Sequence, residues 1–368
     1  IKSNLSFYIS TTILTIMTLV LVFIMNIGGN AIWEFGDTFF ASQSLEDANF
    51  TTYLPISKEE QAELEEEFGV NLEPQYYNNI ETNGTTVRVF KKTHEINLYS
   101  ITEGKDITAN DEVIISEGYA VFNKVSIGDF IQIGEKEYTV TGFFQRPDYL
   151  YMLQNEGDAY KNVTTFFLAY VTDEEFEEIG SENCLYQVRY EGNDSSEFRK
   201  AVNERYFMSS YLSAQENMRI DMVKMQAELM VFLSYILLAI MPLVVVVLVS
   251  IVLNRKVKSE QKLIGTLTAL GYKKSRLMLH YAGFAMIPGI LGGGLGVLLS
   301  LLFAQSFGEI CLLDYEPMRI KCHLSPVVAV LGIAVPNVTY VQVAMIHMKK
   351  LLKKDTVRLL NGNAEQGE

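Results

Sequence analysis

Hydrophobic residues gather along this chain into four long runs, residues 5–26, 229–253, 277–307 and 324–347. Each reaches or exceeds the roughly 20 residues that a helix needs to cross a bilayer. The first run has no charged residue, and VFLSYILLAIMPLVVVVLVSIVL in the second is as clean. Its Pro242 is tolerable in a packed transmembrane helix. One such run alone also fits a buried helix of a soluble domain, but four of this length read as membrane spans. The first run is longer than the apolar core of a signal peptide and no A-x-A-like cleavage site follows it, so it reads as a retained anchor.

Residues 29–224, between the first two runs, alternate differently. Ser57 with Glu60, and Thr172 with Glu175, have the spacing of capping boxes, and Gly69 and Gly180 close the two helices they open. Between and around them TTVRVF, EVIIS, DFIQIG, EYTVTGFF, FFLAYV and CLYQVRYE are rich in β-branched and aromatic residues, with glycine turns between several of them. The pattern predicts an α+β domain with a β-rich lobe over residues 87–144. It also predicts one continuous stalk helix over 197–226 that enters the second span.

The predicted organisation is therefore an α-helical membrane protein with four transmembrane helices and a large α+β extracellular domain inserted between the first and second. The spans fall at 1–28, 227–253, 278–307 and 324–347, with a loop at 254–277, an outer loop at 308–323 and a basic tail at 348–368.

Charge orients this plan. Of 368 residues with a net charge of −14, residues 28–224 hold about 36 acidic against about 15 basic, whereas the remainder is basic in balance. Lys2, the loop with Arg255, Lys256, Lys258, Lys262, Lys273, Lys274 and Arg276, and the tail with Lys349, Lys350, Lys353, Lys354 and Arg358 fall on one side of a four-span chain. The positive-inside rule makes that side, with both termini, cytoplasmic and places residues 29–224 outside the cell membrane. An acidic outer domain argues against nucleic acid as a partner. Cys311 and Cys322 share the outer loop, so a disulfide and two separate thiols are both open, with Cys184 left over. The opening at Ile1 leads us to expect a start further upstream.

Candidate chemistry is sparse. The four histidines form no H-x-x-x-H, and neither C-x-x-C nor G-x-S-x-G occurs, so no catalytic or metal-ligating residue is assigned. The carboxylates around Glu63 read as a solvated helix face, because consecutive residues on a helix point to different sides. Gly265–Gly271 resembles a P-loop only faintly: five residues separate the glycines and Tyr272 follows, so no nucleotide site is expected there. GILGGGLG offers Gly289-x-x-x-Gly293 and Gly292-x-x-x-Gly296, a helix-packing surface in lipid. Pro336-Asn337 marks a possible kink. The uncharged spans offer no ion route.

The stretch KLIGTLTALGYKKSRLMLHY remains. Leu263, Ile264, Leu267 and Leu270 follow helical spacing, and Gly271 can end the helix by a left-handed cap. Such a helix either lies in the headgroups, held by its lysines, or serves as a knob for a cytoplasmic partner; its residues alone leave both open.

This loop resembles the signature of FtsX/MacB-type ABC transporter permeases, roughly E-x-G-x-L-x-A-L-G, with Leu267, Ala269, Leu270 and Gly271 in matching positions and Glu260 three residues ahead of the position of the pattern's glutamate. NDEVIISEGYAVFNKVSIGDFIQIGEKEYTVTGFF resembles a stretch of that family's outer domain, with Ala120, Gly128, Asp129, Val140 and Gly142 in place, and KKLLKKDTVRLLNG resembles its closing segment. Thr356 replaces the usual tail proline, and Lys262 stands near a position that is often small or acidic, which leaves the subfamily open.

The resemblance implies a non-enzymatic permease subunit that binds no cofactor of its own. ATP and Mg belong to a separate ABC-type ATP-binding subunit docked at Glu260, Ile264, Leu267, Ala269, Leu270 and Gly271. A second permease unit, in a homodimer, a heterodimer or a longer duplicated chain, and membrane lipid are the other implied partners. The implied action is mechanotransmission: closure of the ATPase moves the spans and the MacB-like outer domain to export or extract a peptide, lipopeptide or lipid-like cargo. An FtsX-like regulator of a cell-wall hydrolase and a membrane sensor without an ATPase are the competing readings.

Overall fold

In the computed structural model, residues 5–158, 160–192 and 195–353 are described. The features read at Lys2, Lys354, Thr356 and Arg358 lie outside them. The chain divides into two compact units. One holds residues 1–31, 227–308 and 321–368; the other holds 32–226 and 309–320.

The first unit is helical. Among the described residues, four helices are long and apolar enough to cross a membrane: α1 (Leu5–Ser42), α6 (Met218–Ser259), α8 (Lys274–Cys311) and α9 (Pro326–Leu351). The short α7 (Gln261–Ala269) joins α6 to α8. Within the unit, Leu19, Phe23, Met241, Val245, Ala285 and Tyr340 belong to one buried cluster. Many other apolar side chains, among them Phe232, Leu243, Leu302 and Val330, are exposed, a distribution suited to helices solvated by lipid.

The glycine-rich stretch packs α8 on two sides. A Cβ at Gly292 would lie 2.7 Å from Thr15 and one at Gly296 3.0 Å from Leu19, both on α1. A Cβ at Gly289 would lie 2.5 Å from Asn337 and one at Gly293 3.1 Å from Ile333, both on α9. Each pair four residues apart thus faces one neighbour, where the missing side chain lets backbones approach closely. Thr15 and Tyr340 hydrogen-bond at 2.8 Å between α1 and α9.

The second unit is built on one ten-stranded mixed sheet. Its strands are β1 (Ala48–Thr52), β2 (Val70–Thr82), β3 (Thr85–Phe90), β4 (Ser100–Gly104), β5 (Glu112–Ser116), β6 (Phe130–Ile133), β7 (Lys136–Gln145), β8 (Phe166–Tyr170), β9 (Asn183–Tyr190) and β10 (Met208–Ser213). They run in the order β10-β1-β9-β2-β3-β8-β5-β7-β4, with β6 pairing β7. The β3–β8 and β5–β7 pairs are parallel and the others antiparallel.

Strand alternation sorts the residues onto two faces. Val87 and Val89 join a cluster with Ala120 of α3 (Glu117–Asn123) and Phe176 of α4 (Asp173–Ile179). Phe50, Leu72 and Val188 join Leu64 of α2 (Lys58–Phe68) and Phe198 of α5 (Ser195–Tyr206). Phe90, Phe166, Leu168 and Tyr170 pack instead with Tyr149 and Met152 of the segment after β7.

Three sequence expectations change here. Residues 87–144 do not form a separate lobe, because β3 pairs with both β2 and β8 and draws all the strands into one sheet. The stalk over 197–226 is not one helix: α5 ends at Tyr206, Phe207 adopts φ 54°, β10 adds to β1, and α6 starts at Met218. Side-chain pairing of Thr51 with Ser209 and Ser210 joins the backbone ladder there, and such tertiary pairing overrides a modest helical propensity. Finally, α1 continues to Ser42 rather than stopping near residue 28; Ile32 and Phe40 on that extension are buried.

The capping box at Ser57 forms in both directions and Gly69 adopts φ 59°. At Thr172 only half forms: its hydroxyl accepts from the Glu175 N–H, while the Glu175 carboxylate binds the Tyr138 hydroxyl at 2.5 Å and the Lys136 ammonium. Around Glu63 the carboxylates diverge as a helix demands. Glu65 accepts from the Leu72 N–H at 2.8 Å, and Glu67 pairs with Arg205 at 2.8 Å. Residues 309–320 lie in this same unit. There the Gly118 N–H donates to Glu316 at 2.7 Å, Gln145 donates to the Pro317 carbonyl at 2.7 Å, and Arg319 pairs with Glu117 at 3.0 Å. No disulfide joins Cys311 to Cys322.

Candidate functional site

The helix α7 takes its shape from a short sequence. Its end is a Schellman motif: the Tyr272 N–H donates to the Leu267 carbonyl at 3.0 Å, the Gly271 N–H donates to the Thr268 carbonyl at 3.1 Å, and Gly271 sits at φ 86°. A left-handed backbone of this kind favours glycine over any residue with a Cβ. The turn it makes passes the chain directly into α8.

One side of α7 is a seat. Ile264 is 1% exposed and packs with Val257 of α6, Leu277 and Tyr281 of α8, and Met348, Leu351 and Leu352 at the end of α9; Leu267 is half-buried against the same group. Glu260, just before α7, accepts a hydrogen bond from the Tyr281 hydroxyl and lies 3.7 Å from the ammonium of Lys256. Lys256 in turn lies over the Phe284 ring at 4.5 Å. Lys274 donates to the Leu352 carbonyl at 2.8 Å. The ends of three long helices thus converge on one small helix.

The other side is open. Leu270 is 73% exposed, and Leu263, Ala269, Gly271 and Tyr272 are exposed with it. Lys262, Lys273 and Arg276 surround them. Three large apolar side chains within ten residues of basic surface form a compact apolar patch with a cationic rim, a pattern suited to a binding surface.

The residues that the sequence grouped therefore divide. Glu260, Ile264 and Leu267 are turned toward the chain's own helices, whereas Ala269, Leu270 and Gly271 are presented outward. The sequence names Lys256 only as a charge of the basic loop and gives Tyr281 no role, although both hold Glu260. Tyr281 lies 21 residues from Glu260 and only tertiary packing joins them, although the i, i+4 spacing of Lys256 and Glu260 was legible.

Comparison with known families bears on this unit. Residues 229–356 match the family model described as FtsX-like permease C-terminal, which spans from α6 through α7, α8 and α9. No curated protein matches the chain. Members of that family are generally membrane-embedded, non-enzymatic components that work with an ATP-binding subunit. The match over residues 229–356 is consistent with an FtsX/MacB-type permease.

Proposed function

We propose that this chain is the permease subunit of an ABC transporter. In this reading ATP, with Mg, is hydrolysed in a separate ATP-binding subunit that docks on the open side of α7, at Leu263, Ala269, Leu270, Gly271 and Tyr272. The observation that carries the proposal is the two-sidedness of α7: an exposed apolar patch backs directly onto a buried seat shared by α6, α8 and α9. A force applied at Leu270 reaches all three helices through Ile264 and Leu267, and the Glu260 hydrogen bond to Tyr281 resists independent sliding of α7. Tight glycine contacts of α8 with α1 and α9 would pass the displacement on within the helical unit. Helices whose apolar runs, residues 5–26, 229–253, 277–307 and 324–347, hold no Asp, Glu, Lys or Arg suit such mechanical work better than they suit an aqueous channel.

The orientation follows from the basic loop and acidic insertion: α7 and both termini cytoplasmic, the sheet unit outside. The cargo class that fits is a peptide, lipopeptide or lipid-like molecule taken from the membrane or the outer face, with a second permease unit completing the transporter.

The test is co-purification with the ATP-binding subunit followed by ATPase assay. Leu270→Asp is expected to weaken co-purification and uncouple hydrolysis from outer activity while membrane insertion is kept, since central apolar anchors of interfaces contribute about 2 kcal/mol or more. Unchanged association and coupling would reduce α7 to a lipid anchor and end the proposal.

A further inference from the structure

The sheet unit contains a polar cavity of about 230 Å³ on the face opposite α2 and α5. Strand alternation puts Asn49 of β1, Gln75 of β2, Arg88 of β3 and Gln187 of β9 on this face, while their neighbours Phe50, Val87 and Val188 enter apolar cores. Arg146, Asp148, Arg219, Glu46 and Glu156 complete the charged lining.

Three arginines are buried here, and their charges are not equally matched. Arg146 is saturated: it grips Asp148 through two hydrogen bonds of 2.8 and 2.9 Å and donates also to Gln75 and the Tyr170 hydroxyl. Arg88 donates only to neutral partners, Asn79 at 2.8 Å and the Tyr149 hydroxyl at 2.5 Å. Arg219 donates to the Leu153 and Gln154 carbonyls, at 2.9 and 3.0 Å. Among the described residues, neither Arg88 nor Arg219 has a carboxylate within ion-pair distance. Their guanidinium planes lie over Tyr77 and Tyr149, at 4.9 and 4.6 Å, which fixes their orientation.

The other acids in the lining, Glu46 and Glu156, do not offset them well. Glu46 is buried and already accepts from Asn49 at 2.6 Å and Asn97 at 2.8 Å, and burial pushes its carboxyl above the usual carboxylate range. Glu156 stands exposed. Gln187 is 0% exposed, and among the described residues neither its amide nitrogen nor its oxygen has a hydrogen-bond partner. A buried amide left unpaired on both atoms is costly and rare, and it points to a partner that arrives from elsewhere.

We propose that this cavity binds a small carboxylate of about amino-acid size that also carries an N–H or O–H donor. The carboxylate suits Arg88 and Arg219, whose stacked, forked donors favour planar anions. The donor suits Gln187 Oε1, and the Gln187 amide N–H groups take a further acceptor. The volume lies below that of sites for drug-sized molecules, so a long peptide does not fit inside. This inference concerns the sheet unit alone and stands whether or not α7 docks an ATPase.

Thermal unfolding and calorimetric titration of the full chain in detergent test it, with L-lactate, L-alanine, L-glutamate, acetate and inorganic phosphate at millimolar concentration. At least one of the three donor-bearing acids is expected to bind saturably and raise the unfolding temperature, with acetate weaker by about tenfold or more because it lacks the donor. Arg88→Gln and Arg219→Gln are each expected to weaken that binding by about tenfold or more. Gln187→Leu is expected to abolish it while leaving the unliganded chain at least as stable, a readout that separates lost binding from lost folding. Binding of none of the five probes, binding of phosphate alone, or unchanged affinity in a folded Gln187→Leu chain would each overturn the proposal.

Discussion

The two units of this protein achieve close packing with opposite residues. The helical unit does it by omission: Gly289, Gly292, Gly293 and Gly296 leave room for α1 and α9. The sheet unit does it by satisfaction: Arg146, fully buried, is tied to Asp148, Gln75 and Tyr170. The difference shows where each unit is vulnerable. In lipid-suited helices an added methyl group does the damage, because side chains of α1 and α9 already fill the space a Cβ would take. In the sheet unit a deleted group does it, because a buried partner is then left charged and alone.

The sharpest way to break the comparison is Arg146→Ala. Removing one member of a buried ion pair is expected to cost about 3–5 kcal/mol, read as a lowered midpoint in denaturant unfolding of the sheet unit's signal. The double change Arg146→Met with Asp148→Leu should recover much of that loss; a single variant as stable as the parent would show that the pair is not a keystone. Next comes Gly292→Leu, which forces a side chain into Thr15 and should destabilise the helical unit by about 1–3 kcal/mol. An unshifted helical unfolding transition in that variant would remove α8–α1 contact as a packing determinant.

A pH titration follows. Glu316 is pushed up to about 8, first by burial and then by the nearby Glu117 charge, against the Gly118 N–H and Lys161, which lower it; Arg319 pairs with Glu117 beside it. Its folded value lies above its ordinary one, so the folded state prefers the protonated acid. The stabilisation it gives is complete below the ordinary carboxylate range and is lost as pH rises through about 8. Glu316→Gln should flatten that part of the stability profile, measured by thermal melts across the range, and an unaltered slope would assign the dependence elsewhere. The smallest effect belongs to Gly294→Ala, where an added Cβ meets nothing within 4 Å. It should be neutral or stabilising by about 1 kcal/mol or less through helix propensity, and a large loss there would contradict the two-sided packing of α8.

How much was legible depended on the range of the contacts involved. The four apolar runs, the left-handed cap at Gly271 and the capping box at Ser57 are written in local sequence, and they stand in the structure. β2 carries no local strand signature, because VNLEPQYYNNIET holds a proline and three asparagines; Pro74 is accommodated where β2 pairs with β9 but not yet with β3. β10 has helical character locally; its pairing with β1 lies some 160 residues away in sequence, a separation that local propensity does not report. At α7 the apolar spacing located the helix but not its division into seat and open face, since that depends on where the ends of α8 and α9 arrive. The cavity lined by Arg88 and Gln187 left no trace in the sequence, because its residues come from separate strands.

The central functional claim is that the open side of α7 meets an ATP-binding subunit. The most direct measurement places a photo-crosslinking residue at position 270 in one chain and at 264 in another, with irradiation in intact cells and identification of the adducts by mass spectrometry. The account predicts that position 270 captures a protein bearing an ATP-binding domain, whereas position 264, buried in its seat, yields only crosslinks within the chain. Adducts from position 270 confined to lipid, or identical products from the two positions, would contradict it.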